Sequence, residues 1–191
     1  MCFTNNVYYE LPFADSVIEH EIVINGKGLK ITHLNVRSLL KNIDSVRTCV
    51  FSNDIDVFTV SETWLNTEID DDEISILGYN LYRNDRKNKI RGGVACYVKE
   101  KFVVNERTDL LHDEIEAIWT QINLPSTKPL IIGSVYRPPD SSNEYLDNLS
   151  NIIQSISISN TDYEVFGLGD FNFALLDKAK AKKVKCFSNN C

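Results

Sequence analysis

The sequence has no apolar run approaching the roughly 20 residues that cross a bilayer, and Met1 to Asn6 lacks the basic-then-apolar layout of a secretory leader. Both absences point to an intracellular protein, nuclear or cytoplasmic and not secreted, with no membrane partner. There is no Cys-x-x-Cys pair. The five cysteines (Cys2, Cys49, Cys96, Cys186 and Cys191) are odd in number and scattered, which suits reduced thiols better than a disulfide framework or a zinc site. Cys49 and Cys96 are expected to be small core residues. An excess of basic charge is missing as well: 20 Lys and Arg against 27 Asp and Glu leave a net charge of -7. That excludes a broad positive face for nucleic acid. It does not exclude a site that gathers carboxylates around a divalent cation. Arg83, Arg86, Lys87, Lys89 and Arg91 do crowd one stretch, for which a solvated loop is expected.

What is present is an ordinary globular composition, 43% hydrophobic and 25% charged over 191 residues, enough for one domain with a sizeable core. Residues 1–27 are irregular, carry the turn marker Asn25-Gly26, and read as an N-terminal arm; the domain proper starts near Gly28. Leu29 to Val36 reads as a strand. Leu39, Ile43, Val46 and Val50 then recur at helical spacing, with Ser38 placed to cap the helix and Asp54 to break it. Ile55 to Val60 is a short apolar run suited to a buried strand. After an acidic loop, Asp70 to Glu73, sheet is expected around Asn80 to Tyr82 and Gly93 to Lys99.

Alternation of Ile118, Thr120, Ile122 and Leu124 with Trp119, Gln121 and Asn123 predicts a strand with one face inward. Leu130 to Tyr136 is the next strand, stopped by Pro138-Pro139, which cannot donate to a ladder. Ser141 and Glu144 have the spacing of a capping box, and Tyr145, Leu149, Ile152, Ile153 and Ile156 form the stripe of the helix it opens. Val165 to Leu168 returns as a buried strand.

Five polar residues share one placement. Asn35, Glu62, Tyr136, Asp170 and Asn172 all sit at or just past the end of an apolar strand, where the sheet holds side chains rigidly while they face solvent. Two carboxylates and two amides are hard oxygen donors of the kind Mg²⁺ accepts. In "FGLGDFNF" (166–173), Gly167 and Gly169 are expected to let the backbone turn sharply and approach closely, presenting Asp170 and Asn172 outward.

"LNVRSLLKNIDSVR" (34–47), "IDVFTVSETWL" (55–65), "RGGVACYV" (91–98), "SVYRPP" (134–139) and "GLGDFN" (167–172) together resemble, in order and spacing, the successive motifs of the endonuclease/exonuclease/phosphatase family. The variant is most similar to the endonuclease domain of non-LTR (LINE-type) retrotransposon proteins, over residues 28–191. The resemblance implies an α/β fold, a four-layered sandwich of two facing mixed sheets flanked by helices, here incomplete at the C-terminus. It implies a Mg²⁺-dependent phosphodiesterase, with Mn²⁺ as an alternative ion, that acts on the DNA phosphodiester backbone and nicks target DNA for a downstream reverse transcriptase. Glu62 would be the principal metal ligand with Asn35 beside it. Asp170 would orient or deprotonate the attacking water, Asn172 would help hold Asp170 and the scissile phosphate, and Tyr136 would hydrogen-bond a phosphate oxygen. Arg37 stands where the abasic-site repair branch carries an acid, which argues against repair. A branch acting on phosphoinositides or sphingolipids fits less well than the retroelement branch.

The resemblance also implies a later Ser-Asp-His segment whose imidazole contacts the scissile phosphate. His20, His33 and His112 all precede Asn172; His33 is expected to be a packed histidine and the other two to be surface. The basic run Lys178 to Lys185 in the tail is expected to be a solvated helix face. Two readings follow: part of a working nuclease, inactive alone, or a degenerate or domesticated relic acting at most as a binding module.

Overall fold

Leu39, Ile43, Val46 and Val50 are all buried on one side of α1 (Leu39–Ser52), and that stripe sets the first layer. A helix with a single apolar stripe must cover a sheet. It covers the parallel pair β1 (Ile31–Asn35) and β2 (Val57–Ser61) that it connects. In this computed structural model, residues 28–87, 91–158 and 162–172 are described; the expected N-terminal arm and the basic tail lie outside them.

β3 (Tyr79–Asn84) and β4 (Val94–Lys99) form a hairpin that completes the first sheet in the order β1-β2-β4-β3. The second sheet, β5-β6-β7-β8, contains β5 (Val103–Glu106), β6 (Glu116–Asn123), β7 (Leu130–Tyr136) and β8 (Glu164–Asp170). β7 and β8 are parallel and joined through α3 (Asn143–Ile158), so each sheet carries one helix-bridged parallel pair.

Three apolar cores separate four layers. Phe58, Val60 and Tyr97 pack with α1; Ile31, Val57, Cys96, Ile118, Ile122 and Ile132 fill the space between the sheets; Trp119, Ile131 and Val135 pack with Tyr145, Leu149 and Ile156 of α3. The fold is thus the α/β four-layered sandwich of two mixed sheets. β6 departs from its expected one-sided burial: Ile118 and Ile122 face the other sheet while Trp119, 1% exposed, faces α3. Alternation in polarity understated a strand that is covered on both faces. Cys96 is buried, and burial pushes its thiol up to about 12; Cys49 is half-buried.

Other local expectations need correction. The acidic stretch is not a loop: α2 (Asp71–Ile74) forms there, with Glu73 Oε1 accepting from the backbone N of Asp70 at 3.2 Å. Ser38 occupies the N-cap of α1 but makes no side-chain cap, because its φ of 91° takes the backbone away from cap geometry. Ser141 does not open α3 either, since its buried Oγ has no hydrogen-bond partner and the helix begins at Asn143. β5 and a 3₁₀ turn at Thr108–Leu110 were not expected at all. No helix among the described residues is long and apolar enough to cross a membrane.

Candidate active site

The two parallel pairs end at the same rim of the sandwich. β1 ends on Asn35 and β8 on Asp170, and Asn35 Nδ2 donates to Asp170 Oδ2 at 2.7 Å across 135 positions of sequence. The contact joins one sheet to the other. Asp170 Oδ1 accepts from the backbone N of Asn172 at 3.0 Å, so both carboxylate oxygens are aimed by neighbouring donors. Asn172 spends its amide on the carbonyl of Arg137, 2.7 Å away, and Arg137 N donates to the carbonyl of Asp170 at 2.9 Å. The loop after β8 is thereby tied to the loop after β7.

Glu62 follows β2 at a φ of 56°. Its Oε2 accepts from the backbone N of Gly92 at 3.1 Å and from Trp64 Nε1. The opposite sheet brings Tyr136, buried at the end of β7, near Glu62, and its phenol is pushed well above the ordinary tyrosine value. Burial is the largest cause, followed by the nearby Glu62 carboxylate and then by the negative charges of Glu116 and Asp170. Tyr136 is therefore a phenol that keeps its proton in the field of three carboxylates. Through it, Glu62 and Asp170 share one rim.

The backbone of this rim is strained. Among the described residues, eight non-glycine residues have positive φ, and six of them (Arg37, Ser38, Glu62, Trp64, Arg91 and Asn172) lie in the loops at this end. Each such position costs on the order of 1–3 kcal/mol. The surrounding ladder compensates: Ser38 N donates to Glu62 O, Leu39 N to Thr63 O, and Trp64 N to Gly92 O, at 2.8 to 2.9 Å.

The glycines of "FGLGDFNF" act differently from expectation. Both stay in β8, in register with Gly133 and Val135 of β7, and neither has positive φ. A Cβ at Gly169 would lie 1.8 Å from Val135 O, so close backbone approach is its reason; a Cβ at Gly167 would meet nothing within 4 Å. The sharp turn falls two residues past the end of β8, at Asn172, with φ 47°.

Glu116 is the site residue that the sequence reading missed. Its Oε2 accepts from Gly93 N at 3.0 Å and its Oε1 pairs with Arg86 Nε at 2.9 Å. It sits opposite Tyr136 in the β6–β7 register. It opens its strand, and an antiparallel strand brings its first residue to the rim where its partner ends. The basic stretch also differs from a solvated loop: Arg83 pairs with Asp71 and Asp85 at 2.9 and 3.0 Å, Arg86 pairs with Glu116, and Arg91 lies over the Trp64 ring at 5.4 Å. Lys87 is exposed and Lys89 lies outside the described residues.

His33 is buried between Thr59 Oγ1 (2.9 Å) and Ser61 Oγ (3.2 Å), and burial lowers it to about 4. It is a neutral core histidine. His112 is exposed and forms an isolated bridge with Ile115, and His20 lies outside the described residues. Among the described residues no imidazole faces the rim.

Among the described residues, no three His, Cys, Asp or Glu side chains form a ready-made metal cluster. The oxygen donors at the rim are the carboxylates of Glu62, Asp170 and Glu116, the last already paired with Arg86, and the amide oxygen of Asn35. Asn35 Oδ1 is buried and accepts no hydrogen bond, a state that costs about 1–3 kcal/mol. A hard cation that takes amide and carboxylate oxygens and keeps several waters would satisfy it. Carboxylate and amide oxygens are donors of the kind that Mg²⁺ and Mn²⁺ accept.

No family model matches the sequence, and no curated protein does. Solved structures do. The endonuclease domain of TRAS1, a telomere-specific non-LTR retrotransposon, superposes with a TM-score of 0.54 at 12% identity over 76% of this chain and 59% of that one. A 3′ phosphatase from Neisseria, bound to a product DNA hairpin, gives 0.57 at 21% identity over 78% and 60%. An endonuclease/exonuclease/phosphatase family protein from Bacteroides thetaiotaomicron gives 0.59 at 13% over 82% and 66%. The chain thus spans about three-fifths of the length of the first two. The likeness is one of fold, and the fold is that of endonuclease/exonuclease/phosphatase proteins.

Proposed function

We propose that this chain is a divalent-metal phosphodiesterase that nicks DNA, of the kind found in non-LTR retrotransposons, with a reverse transcriptase as its functional partner. The single observation that carries this reading is the convergence of Glu62 and Asp170 on one rim: Asn35, in register with Ser61 beside Glu62, donates across the sheets to Asp170 at 2.7 Å. The choice of branch rests on the motifs at 35–39 and 61–65, since the sandwich is shared alike with a retrotransposon endonuclease domain and a 3′ phosphatase.

In this reading Glu62 and Asn35 Oδ1 would hold Mg²⁺ or Mn²⁺. When bound, the ion neutralises charge on the phosphate and stabilises the leaving oxygen. Asp170, aimed by Asn35 and by the backbone of Asn172, accepts a proton from the attacking water. Tyr136 remains protonated and donates to a phosphate oxygen. Asn172 acts by holding Asp170, because its own amide is spent on Arg137.

A second reading, a binding module that cuts nothing, is favoured by one fact: no imidazole faces the rim among the described residues. Lack of one positioned donor typically costs about two or three orders of magnitude in rate. Nicking by this chain alone is therefore expected to be slow. Conversion of supercoiled plasmid to open circles in Mg²⁺ tests both readings. Slow nicking that stops with a chelator and with Glu62→Gln or Asp170→Asn supports the nuclease. Binding without nicking supports the module, and nicking untouched by those substitutions defeats the assignment of this site.

A further inference from the structure

Trp64 is an unusual residue to find at this rim. It is 39% exposed, while the other tryptophan, Trp119, is 1% exposed. An exposed indole forgoes burial of a large apolar surface, and here it also sits at a φ of 54°. Its place is fixed at three points. The backbone N donates to Gly92 O at 2.9 Å, the indole N–H donates to Glu62 Oε2, and the Arg91 guanidinium lies over the ring, 5.4 Å from its centroid. The indole is one hydrogen bond away from the carboxylate assigned to the metal.

We propose that Trp64 and Arg91 form a stacking platform for an unpaired nucleobase next to the phosphodiester that is cut; this rests on the phosphodiesterase reading above. A rigid aromatic face carrying a guanidinium is what binds a base without reading its identity. The charge of the rest of the chain gives such a contact a purpose. A net charge of -7 gives little attraction for a polyanion, and Arg83 and Arg86 are neutralised by Asp71, Asp85 and Glu116. Stacking supplies affinity that does not depend on net charge. A duplex keeps its bases in the stack, so the substrate favoured at this platform is single-stranded or locally opened.

The test is intrinsic fluorescence of the full chain in EDTA, where no cutting intervenes, titrated with a twelve-nucleotide oligothymidylate and with an oligomer of the same length whose residues are all abasic. The buried Trp119 serves as an internal constant. The expected result is quenching by the thymidylate and weak binding, at least tenfold weaker, by the abasic oligomer. Trp64→Ala should lose both the signal and at least tenfold in affinity measured by anisotropy of a labelled oligomer. Trp64→Phe should keep affinity within about threefold, because it retains the stack and loses only the N–H to Glu62. Arg91→Ala should fall between them, and it leaves the indole and its hydrogen bonds in place if Trp64→Ala does not fold. Equal binding of the two oligomers, or unchanged binding in both Trp64→Ala and Arg91→Ala, overturns the platform. Quenching without any plasmid nicking would instead defeat the nuclease reading and leave the platform standing.

Discussion

Asn35 and Asp170 are the last residues of two edge strands in different sheets, and the 2.7 Å hydrogen bond between them closes the rim on which the candidate site is built. Neither sheet alone contains a site. Glu62 and Asn35 come from one and Tyr136 and Asp170 from the other, so the packing of the two sheets decides whether the chemistry is possible.

Removing that bond should cost activity more than stability. Asn35→Ala deletes a hydrogen bond to a charged acceptor, worth about 1.5–3 kcal/mol, but also removes the unpaired Oδ1 that costs about 1–3 kcal/mol, so the urea midpoint should move little while nicking falls at least tenfold. Asn35→Asp sets two carboxylates against each other, so one of them titrates well above the ordinary range. Its stability should be nearly normal at pH 4 and fall as pH rises through that raised value; a pH series of urea melts reads this directly.

The two glycines of β8 should separate cleanly. Gly169→Ala drives a Cβ into Val135 O, at 1.8 Å, and must push β8 off β7; a loss of roughly 2–4 kcal/mol is expected, with loss of nicking. Gly167→Ala meets nothing within 4 Å and should stay within about 0.5 kcal/mol of the parent. Thermal melts of the two variants side by side check the contrast.

How much of this was legible in the sequence follows the same division between local and tertiary causes. Helical spacing of Leu39, Ile43, Val46 and Val50 was decisive because one stripe meets one sheet. The end of β7 was marked by Pro138-Pro139, which stop any ladder. Glu116 was not legible, since it opens its strand and reaches the rim only because β6 runs antiparallel to β7. The glycine of close approach could not be told from its neighbour two residues away, because the difference lies in Val135, 34 positions distant. Capping at Ser38 failed for the same reason: the bond from its backbone N to Glu62 O across the rim, not the local preference of the serine, goes with its φ of 91°.

Tyr136 should behave as a neutral donor. Its phenol is raised by burial and by the carboxylates around it, so its contribution to stability is present below the unfolded value near 10 and is lost as pH rises toward the higher folded one. Tyr136→Phe should nick at least tenfold more slowly than the parent. Its stability should also decline less steeply above pH 10, as measured by chemical unfolding.

His33 gives the opposite limb. Burial lowers it from 6.5 to about 4, so its neutral form stabilises the fold above pH 6.5, and that contribution is lost as pH falls toward 4. The size is on the order of 3 kcal/mol. Replacing it with a neutral isostere, His33→Gln, should flatten the stability profile between pH 6.5 and 4 without altering the rim; urea melts across that interval provide the check.

The most direct test of a shared cation is Mn²⁺ binding to the metal-free chain, followed by electron paramagnetic resonance, because it needs no turnover. One Mn²⁺ per chain is expected, weakened at least tenfold by Glu62→Gln and by Asn35→Ala, and displaced by Mg²⁺. Mn²⁺ affinity unchanged in Glu62→Gln would contradict the account.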